Sequence, residues 1–353
     1  MILIFDPSFS ALRWCNIEGE NCSEFKCEFS PGWFDRVMKS IGNVKEIEAI
    51  GYVLYHGGEI IRNPVEIISL ELIKKLEQCV KFDPERNDLT LKIIMQCIRQ
   101  FKEIKHILLC DTAFFADLPE EVSTYAVPYE LREKGIRRYG RQGLSHQWAW
   151  VQTKALAEKN ICNAISVYLG NHTNMVAIKK SKAQETSVGF TSVEGIISTV
   201  SCGDIDPTVI FQMHSTGMSF RTINSILSQE SGFKALLGKK SSLSDILSKK
   251  GSSKEIALRE IYCYNILKYL GGFISSIGGV DTLIFIGEDI NQAVPFIREI
   301  CCRLRFLGLK LKRSVTKSGT LFNLTTKDSP IKVFCLKYNK WKVLAYWAKE
   351  GLR

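Results

Sequence analysis

The stretch His106–Trp148 reads HILLCDTAFFADLPEEVSTYAVPYELREKGIRRYGRQGLSHQW, and its opening decides the fold class. Ile107–Cys110 is a continuous apolar run, short enough to be a strand buried on both faces, as strands of parallel sheets are. Asp111 and Thr112 follow directly. Ligands of open α/β sheets gather just beyond the carboxyl ends of parallel strands, which makes Asp111 a candidate catalytic carboxylate. The same carboxylate is equally able to cap the turn that follows.

Upstream, Met1–Phe5 reads as a strand ending at Asp6, with Ala11–Ile17 and Cys22–Phe29 as second and third strands around a turn at Glu18–Asn21. Ser30-Pro31 signals a helix start. Ala49–Tyr55 is another buried strand running into His56-Gly57-Gly58, and helical periodicity starts at Asn87. The order β-β-β-α-β-α-β ends at Asp111. Downstream the same opening recurs. Asn163–Leu169 is a strand, Gly170–Asn174 a tight polar loop, Met175–Lys179 a second strand and Gln184–Val188 a third. Two halves that each begin with a three-strand meander read as an internal duplication. Backbone N–H groups in the two first hairpins, Asp6–Ser10 and Gly170–Asn174, form concavities suited to phosphate. Pro207 can open a helix at its first turn, which makes Asp206 a helix cap at least as readily as a ligand. Ser231–Lys254 reads as loop with a short helix, Glu255–Ile274 as a core or subunit-contact helix, and Asn291–Leu307 as the helix after strand Thr282–Ile286. Strand Ile331–Leu336 and a helix to Glu350 close the chain.

The 353 residues suffice for two cores, and 45% apolar with 24% charged residues is ordinary for a soluble globular protein. No leader pattern opens the chain and no run is long enough to cross a bilayer, so a cytosolic protein without membrane contact is expected. None of the twelve cysteines forms a C-x-x-C pair, and with five histidines no zinc-ligand spacing emerges. The cysteines are read as reduced and structural. The net charge of +10 is scattered over Lys134–Arg141, Lys179–Lys182, Gly238–Lys254 and Leu309–Lys317. Without aromatic interleaving it reads as a solvated surface, which argues against a nucleic-acid partner.

DTAF at Asp111–Phe114, PEE at Pro119–Glu121, PYE at Pro128–Glu130, GIRRYG at Gly135–Gly140 and G-x-SH at Gly143–His146 together resemble the signature of the acetate kinase family. Glu194-Gly195 and Cys202–Pro207 resemble two further family motifs, so the resemblance spans nearly the whole chain. It implies an α/β fold of two duplicated actin-like, ribonuclease H-like domains, mixed sheets flanked by helices, with a nucleotide-type cleft between them. Residues 1–112 plus 337–353 would form the first domain. Residues 113–336 would form the second, with dimerisation helices. The resemblance also implies ATP and Mg²⁺ as cofactors if the protein is active, and a homodimer.

Residue by residue, the resemblance carries over unevenly. Asp111 keeps the catalytic Asp. Val53 and Ser201 stand where the family has its two substrate-side arginines, and Gln142 stands where it has the histidine that steadies the transferred phosphoryl group. His146 is retained on the substrate side. The opening loop keeps Arg13 but starts at Asp6, a candidate metal ligand. Gly170, Asn171 and His172 keep the middle of the phosphate loop. On the adenosine side Asp245 persists but Leu247 replaces an arginine, and after Gly287 the family's glycines give way to Glu288 and Asp289. Lys340 aligns with a metal-binding Glu. Phosphoryl transfer between two anions needs cations, and one lost preorganised charge commonly costs about 10²–10³ in rate. Arg13, Arg137, Arg138, Arg141 and His172 are candidate compensating cations, with Arg141 beside Gln142 foremost. The sequence reading is therefore a degenerate, pseudokinase-like homologue that serves as a binding, regulatory or assembly protein with an unidentified protein partner. Its alternative is an active ATP-dependent carboxylate kinase, forming an acyl phosphate in a rebuilt site.

Overall fold

The structure, a computed structural model, describes residues 1–7, 11–19, 21–41, 44–156, 162–239, 241–247, 251–315 and 319–353. Among the described residues twelve strands build two six-stranded sheets. They are β1 (Ile2–Pro7), β2 (Ala11–Glu18), β3 (Asn21–Glu28), β4 (Ala49–Leu54), β5 (Val65–Ile67) and β6 (Lys105–Cys110), then β7 (Asn163–Tyr168), β8 (Asn174–Lys179), β9 (Lys182–Thr186), β10 (Thr282–Gly287), β11 (Leu321–Asn323) and β12 (Lys332–Lys337). The sheet orders are β3-β2-β1-β4-β6-β5 and β11-β12-β10-β7-β8-β9. In the first, β1 is antiparallel to β2 and parallel to β4, which is parallel to β6. In the second, β7 is antiparallel to β8 and parallel to β10, which is parallel to β12. Each sheet ends in a short antiparallel edge strand, β5 or β11. The two halves thus repeat one plan, the two-domain mixed α/β fold that the meanders announced.

The chain divides into two compact units: 1–116, 142–145 and 339–353 in the first, 117–141 and 146–338 in the second. These bounds differ from the sequence boundaries at 113–116, 142–145 and 337–338. The first core gathers Leu3, Phe5, Ile50, Tyr52, Leu108 and Cys110 from alternate strand positions against Ile93, Ile94 and Cys97 of helix Pro84–Gln100. That alternation turns Ile4, Gly51 and Leu109 the other way, onto Ala348 of the closing helix Lys340–Glu350. The second core packs β7, β8 and β10 against helices Ser253–Ser276 and Ile290–Arg303.

Several local expectations need correcting. The first helix starts at Trp33 after Gly32 in the left-handed region, not at Ser30-Pro31. Helix Leu70–Cys79, capped by Ser69, went unread because its exposed Leu70 blurs the apolar stripe. Two helices, Gly232–Leu237 and Leu243–Leu247, occupy the stretch read as mostly loop; residues 240 and 248–250 there lie outside the described residues, as do 8–10 of the first hairpin and 316–318 of the last basic stretch. Cys15 and Cys22 are joined as a disulfide across β2 and β3, with Cα atoms 6.2 Å apart, rather than both reduced. Among the described residues no helix is long and apolar enough to cross a membrane.

Candidate active site

Three parallel strands deliver polar groups at their carboxyl ends in the first unit. Asp6 is the penultimate residue of β1, Tyr55 follows β4, and Asp111 follows β6. Strand alternation places Asp6, Val53 and Tyr55 on the face covered by the closing helix, whose first residue is Lys340.

Asp111 is 8% exposed. Its Oδ2 accepts a hydrogen bond of 2.7 Å from the backbone N–H of Gln142. Gln142 achieves this with a φ of 56°, a left-handed conformation that costs a non-glycine residue about 1–2 kcal/mol. Gly143 follows because nothing larger fits: a Cβ there would stand 2.3 Å from the Asp111 carbonyl oxygen and 2.7 Å from the Phe114 Cβ. Gln142 therefore keeps a backbone role at the family's histidine position, although its side chain brings no charge. Thr112 Oγ1 accepts from Gly57 N–H at 2.9 Å and ties the neighbouring loop to the same strand end.

At Asp6 the structure departs from the expectation of a metal ligand. Asp6 is 1% exposed, and a buried carboxylate requires partners. Tyr55 donates its hydroxyl to Oδ1 at 2.5 Å, and the Lys340 ammonium sits 2.5 Å from Oδ2 and 2.8 Å from the Tyr55 oxygen. Arg86 lies 4.2 Å and Lys340 5.3 Å from the centre of the Tyr55 ring. Burial alone would lower the Lys340 pKa, but the Asp6 carboxylate and Tyr55 outweigh it and raise it. The Tyr55 hydroxyl is raised, chiefly by burial. Like unit charges about 4 Å apart repel by ~4 kcal/mol near a protein surface, and a divalent ion doubles that before solvent screens it. With Lys340 only 32% exposed, the residues present do not fit Mg²⁺ on Asp6. Arg13 pairs with Asp6 in the β1–β2 register and with Lys26 in the β2–β3 register, so two further cations continue the row.

The remaining candidates divide. Val53 is buried in β4, 2% exposed, and Ser201 is buried in the second unit, its hydroxyl 2.7 Å from that of Ser198. Neither position can present charge. His146, expected beside the substrate, is instead wholly buried. Its Nδ1 meets Ser166 Oγ at 2.8 Å and its Nε2 meets Asn174 Oδ1 at 2.5 Å, which fixes the Nε2–H tautomer. Burial pulls its pKa down to about 4. It pins β7 to β8 and so sets the hairpin Gly170–Asn174. Within that hairpin Thr173 Oγ1 donates to the Gly170 carbonyl, Asn174 donates to the His172 carbonyl, and Thr199 donates to the Asn171 carbonyl.

Gly287 ends β10 where a Cβ would stand 2.7 Å from the Leu169 carbonyl oxygen, so this glycine serves strand packing. Glu288 and Asp289 after it are exposed. Asp245, read as adenosine-binding, turns its carboxylate onto Ser242 at 2.7 Å and acts in the turn before its own helix; Leu247 is buried. Among the proposed compensating cations, Arg138 is committed to Glu194 at 2.9 Å, Arg137 lies near the Tyr139 ring, and Arg141 is half-buried immediately before Gln142.

Two groups escaped the sequence reading: Tyr55, which ends an apolar run and gives no motif signal, and Lys340 as a partner of Asp6. Their separation of 285 residues hides the contact from any local pattern.

The family model described as Acetokinase family matches residues 34–346. The chain belongs to the acetokinase family. The acetate kinase of Coprothermobacter proteolyticus is 35% identical over 324 residues, covering 89% of this chain and 80% of that protein. The acetate kinase of Halothermothrix orenii is 33% identical over 312 residues, covering 86% and 78%. Among solved structures, Porphyromonas gingivalis acetate kinase superposes with a TM-score of 0.86 at 24% identity, covering 100% of this chain and 99% of its own. A propionate kinase from Francisella tularensis gives 0.83 at 23%, covering 99% of each. At these identities the structural likeness speaks to fold alone. The motifs GIRRYG, Glu194-Gly195 and GDIDP are tied to one another by side-chain contacts in the second unit. Tyr125 donates to Glu194, which pairs with Arg138, while Asp204 accepts from Gly195 N–H at 2.9 Å and from Tyr269 at 2.7 Å.

Proposed function

We propose that this chain is an active carboxylate kinase of the acetate kinase type, transferring the terminal phosphoryl group of ATP to a short-chain carboxylate through a rebuilt set of charges. The relatives' names favour this reading over the degenerate homologue that the lost arginines first suggested. The observation that carries it is Asp111: buried at the carboxyl end of a central parallel strand, with Oδ2 fixed by the Gln142 N–H. A strained Gln142 and a glycine that no other residue can replace are maintained around it. Strain of this kind clusters at active sites, although Lys180 and Ser181 adopt the same conformation in the β8–β9 turn.

The acceptor enters as a carboxylate and needs no base. The reaction's demand is to neutralise repulsion between two anions. Arg13 and Lys340 supply positive charge at the carboxyl end of β1. Asp111 keeps the Gln142-Gly143 turn in register with β6 and orients the reacting groups. Losing two arginines leaves a slower enzyme, with kcat lower than an arginine-bearing relative by at least about 10²–10³.

A second reading, a nucleotide-binding member without transfer, is favoured by one observation: Val53 and Ser201 are buried neutral side chains at the arginine positions. Purified protein, ATP and acetate, propionate or butyrate, with hydroxylamine to trap acyl phosphate, separates the two. Hydroxamate that disappears in Asp111→Asn supports the kinase. No hydroxamate from any of the three, with ATP still bound, would leave the second reading.

A further inference from the structure

We propose that Lys340 is a resident cation, its ammonium holding the place beside Asp6 that a divalent ion would otherwise take, so that this chain receives a phosphoryl group at the end of β1 without recruiting a metal there. The inference deepens the proposed function and rests on phosphate entering at the carboxyl ends of β1, β4 and β6.

Four observations support it. First, the ammonium is fixed by two contacts, 2.5 Å to Asp6 Oδ2 and 2.8 Å to the Tyr55 oxygen, and is not a loose surface lysine. Second, the other Asp6 oxygen is also taken, by the Tyr55 hydroxyl at 2.5 Å. Magnesium demands near-ideal octahedral oxygen ligands and is usually held by one or two carboxylates, so a carboxylate already bridged by an ammonium and a phenol is a poor ligand. Third, an ammonium has three donors, and two are spent here, which leaves one for an incoming phosphate oxygen. Fourth, Lys340 is the first residue of the closing helix, which packs against β1 and β4 and so brings the ammonium to the strand end that carries Asp6. The backbone supports the placement too. Asn339 caps the closing helix through its Oδ1, at 3.0 Å from Lys342 N, and so fixes where the Lys340 side chain departs.

The test has two arms on the full chain. In the first, Mn²⁺ alone is titrated and read by electron paramagnetic resonance, for the wild type, Lys340→Glu and Lys340→Gln. The wild type is expected to bind Mn²⁺ at least about tenfold more weakly than Lys340→Glu, whose melting temperature should rise with Mn²⁺ while that of the wild type does not. Lys340→Gln, which removes the charge with little change of size, should fall between them and serves if Lys340→Glu does not fold. Equal Mn²⁺ binding in wild type and variants would overturn the proposal. In the second arm, ATP is titrated with EDTA or with Mg²⁺. Wild-type affinity should differ less than about threefold between the two, and Lys340→Glu should need Mg²⁺. Wild-type binding that depends on Mg²⁺ would overturn the proposal as well. Failure of ATP to bind under either condition would count against the proposed function, while the Mn²⁺ arm still decides the resident cation.

Discussion

At Asp6 two partners of one buried carboxylate set the electrostatics of a strand end. A buried carboxylate is an expensive group, and Tyr55 and Lys340 are what make its burial tolerable. Asp6→Ala is therefore expected to strand the Lys340 ammonium and to destabilise the fold by about 3 kcal/mol, measurable by urea denaturation. A loss below about half a kcal/mol would mean that solvent, not Asp6, satisfies the lysine. His146 carries a different prediction. Its folded pKa of about 4 lies below the ordinary 6.5, so the unfolded chain takes up a proton first as the pH falls. Stability is complete above about pH 6.5 and is lost towards pH 4, by about 3 kcal/mol at ~1.4 kcal/mol per pKa unit. Denaturation midpoints across that window should slope in the wild type and flatten in His146→Gln. An equally steep slope in the variant would place the acid sensitivity elsewhere.

Among the elements, the turn between Arg141 and the helix Gly143–Lys154 is the tightest piece of the candidate site. Gly143→Ala must push the Asp111 carbonyl away, and crowding of this kind costs about 1–3 kcal/mol. It should also cut turnover well below what the stability loss explains, because the Asp111 carboxylate shifts with its backbone. Unchanged kcat in a folded Gly143→Ala would detach Asp111 from that turn. The strands themselves were easy to read: β1, β4, β6, β7, β10 and β12 are short apolar runs whose carboxyl ends fell within a residue or two of their observed limits. Short helices were harder, since Leu243–Leu247 and Gly232–Leu237 sit in Ser- and Lys-rich surroundings where composition imitates loop. Asp111 was visible as a strand-end carboxylate. The Asp6–Lys340 pair was not, because a contact across 334 residues depends on how the closing helix docks, which no local pattern encodes. Motifs misled in the opposite sense at His146, whose ring is spent inside the fold, and at Asp245, whose carboxylate is spent on an exposed local turn.

Over the whole molecule, one strand plan is used twice, and the second copy carries large apolar side chains in the open. Phe211, Phe220, Ile261 and Tyr264 are 66%, 60%, 42% and 65% exposed, more than isolated surface residues require. A homodimer through the second unit is the assembly we propose, and sedimentation should give twice the chain mass of 40.0 kDa. A monomer at micromolar concentration would refute it, and Tyr264→Asp should weaken the dimer if the outer face of helix Ser253–Ser276 takes part. The central claim concerns chemistry, and the reverse reaction tests it with the greatest sensitivity. Acetyl phosphate and ADP are incubated with the purified protein and ATP is read by luminescence, beside Asp111→Asn. Our account predicts ATP formation that the variant reduces by at least about a hundredfold. Wild-type protein that forms no ATP above the Asp111→Asn background, from acetyl, propionyl or butyryl phosphate, would contradict it.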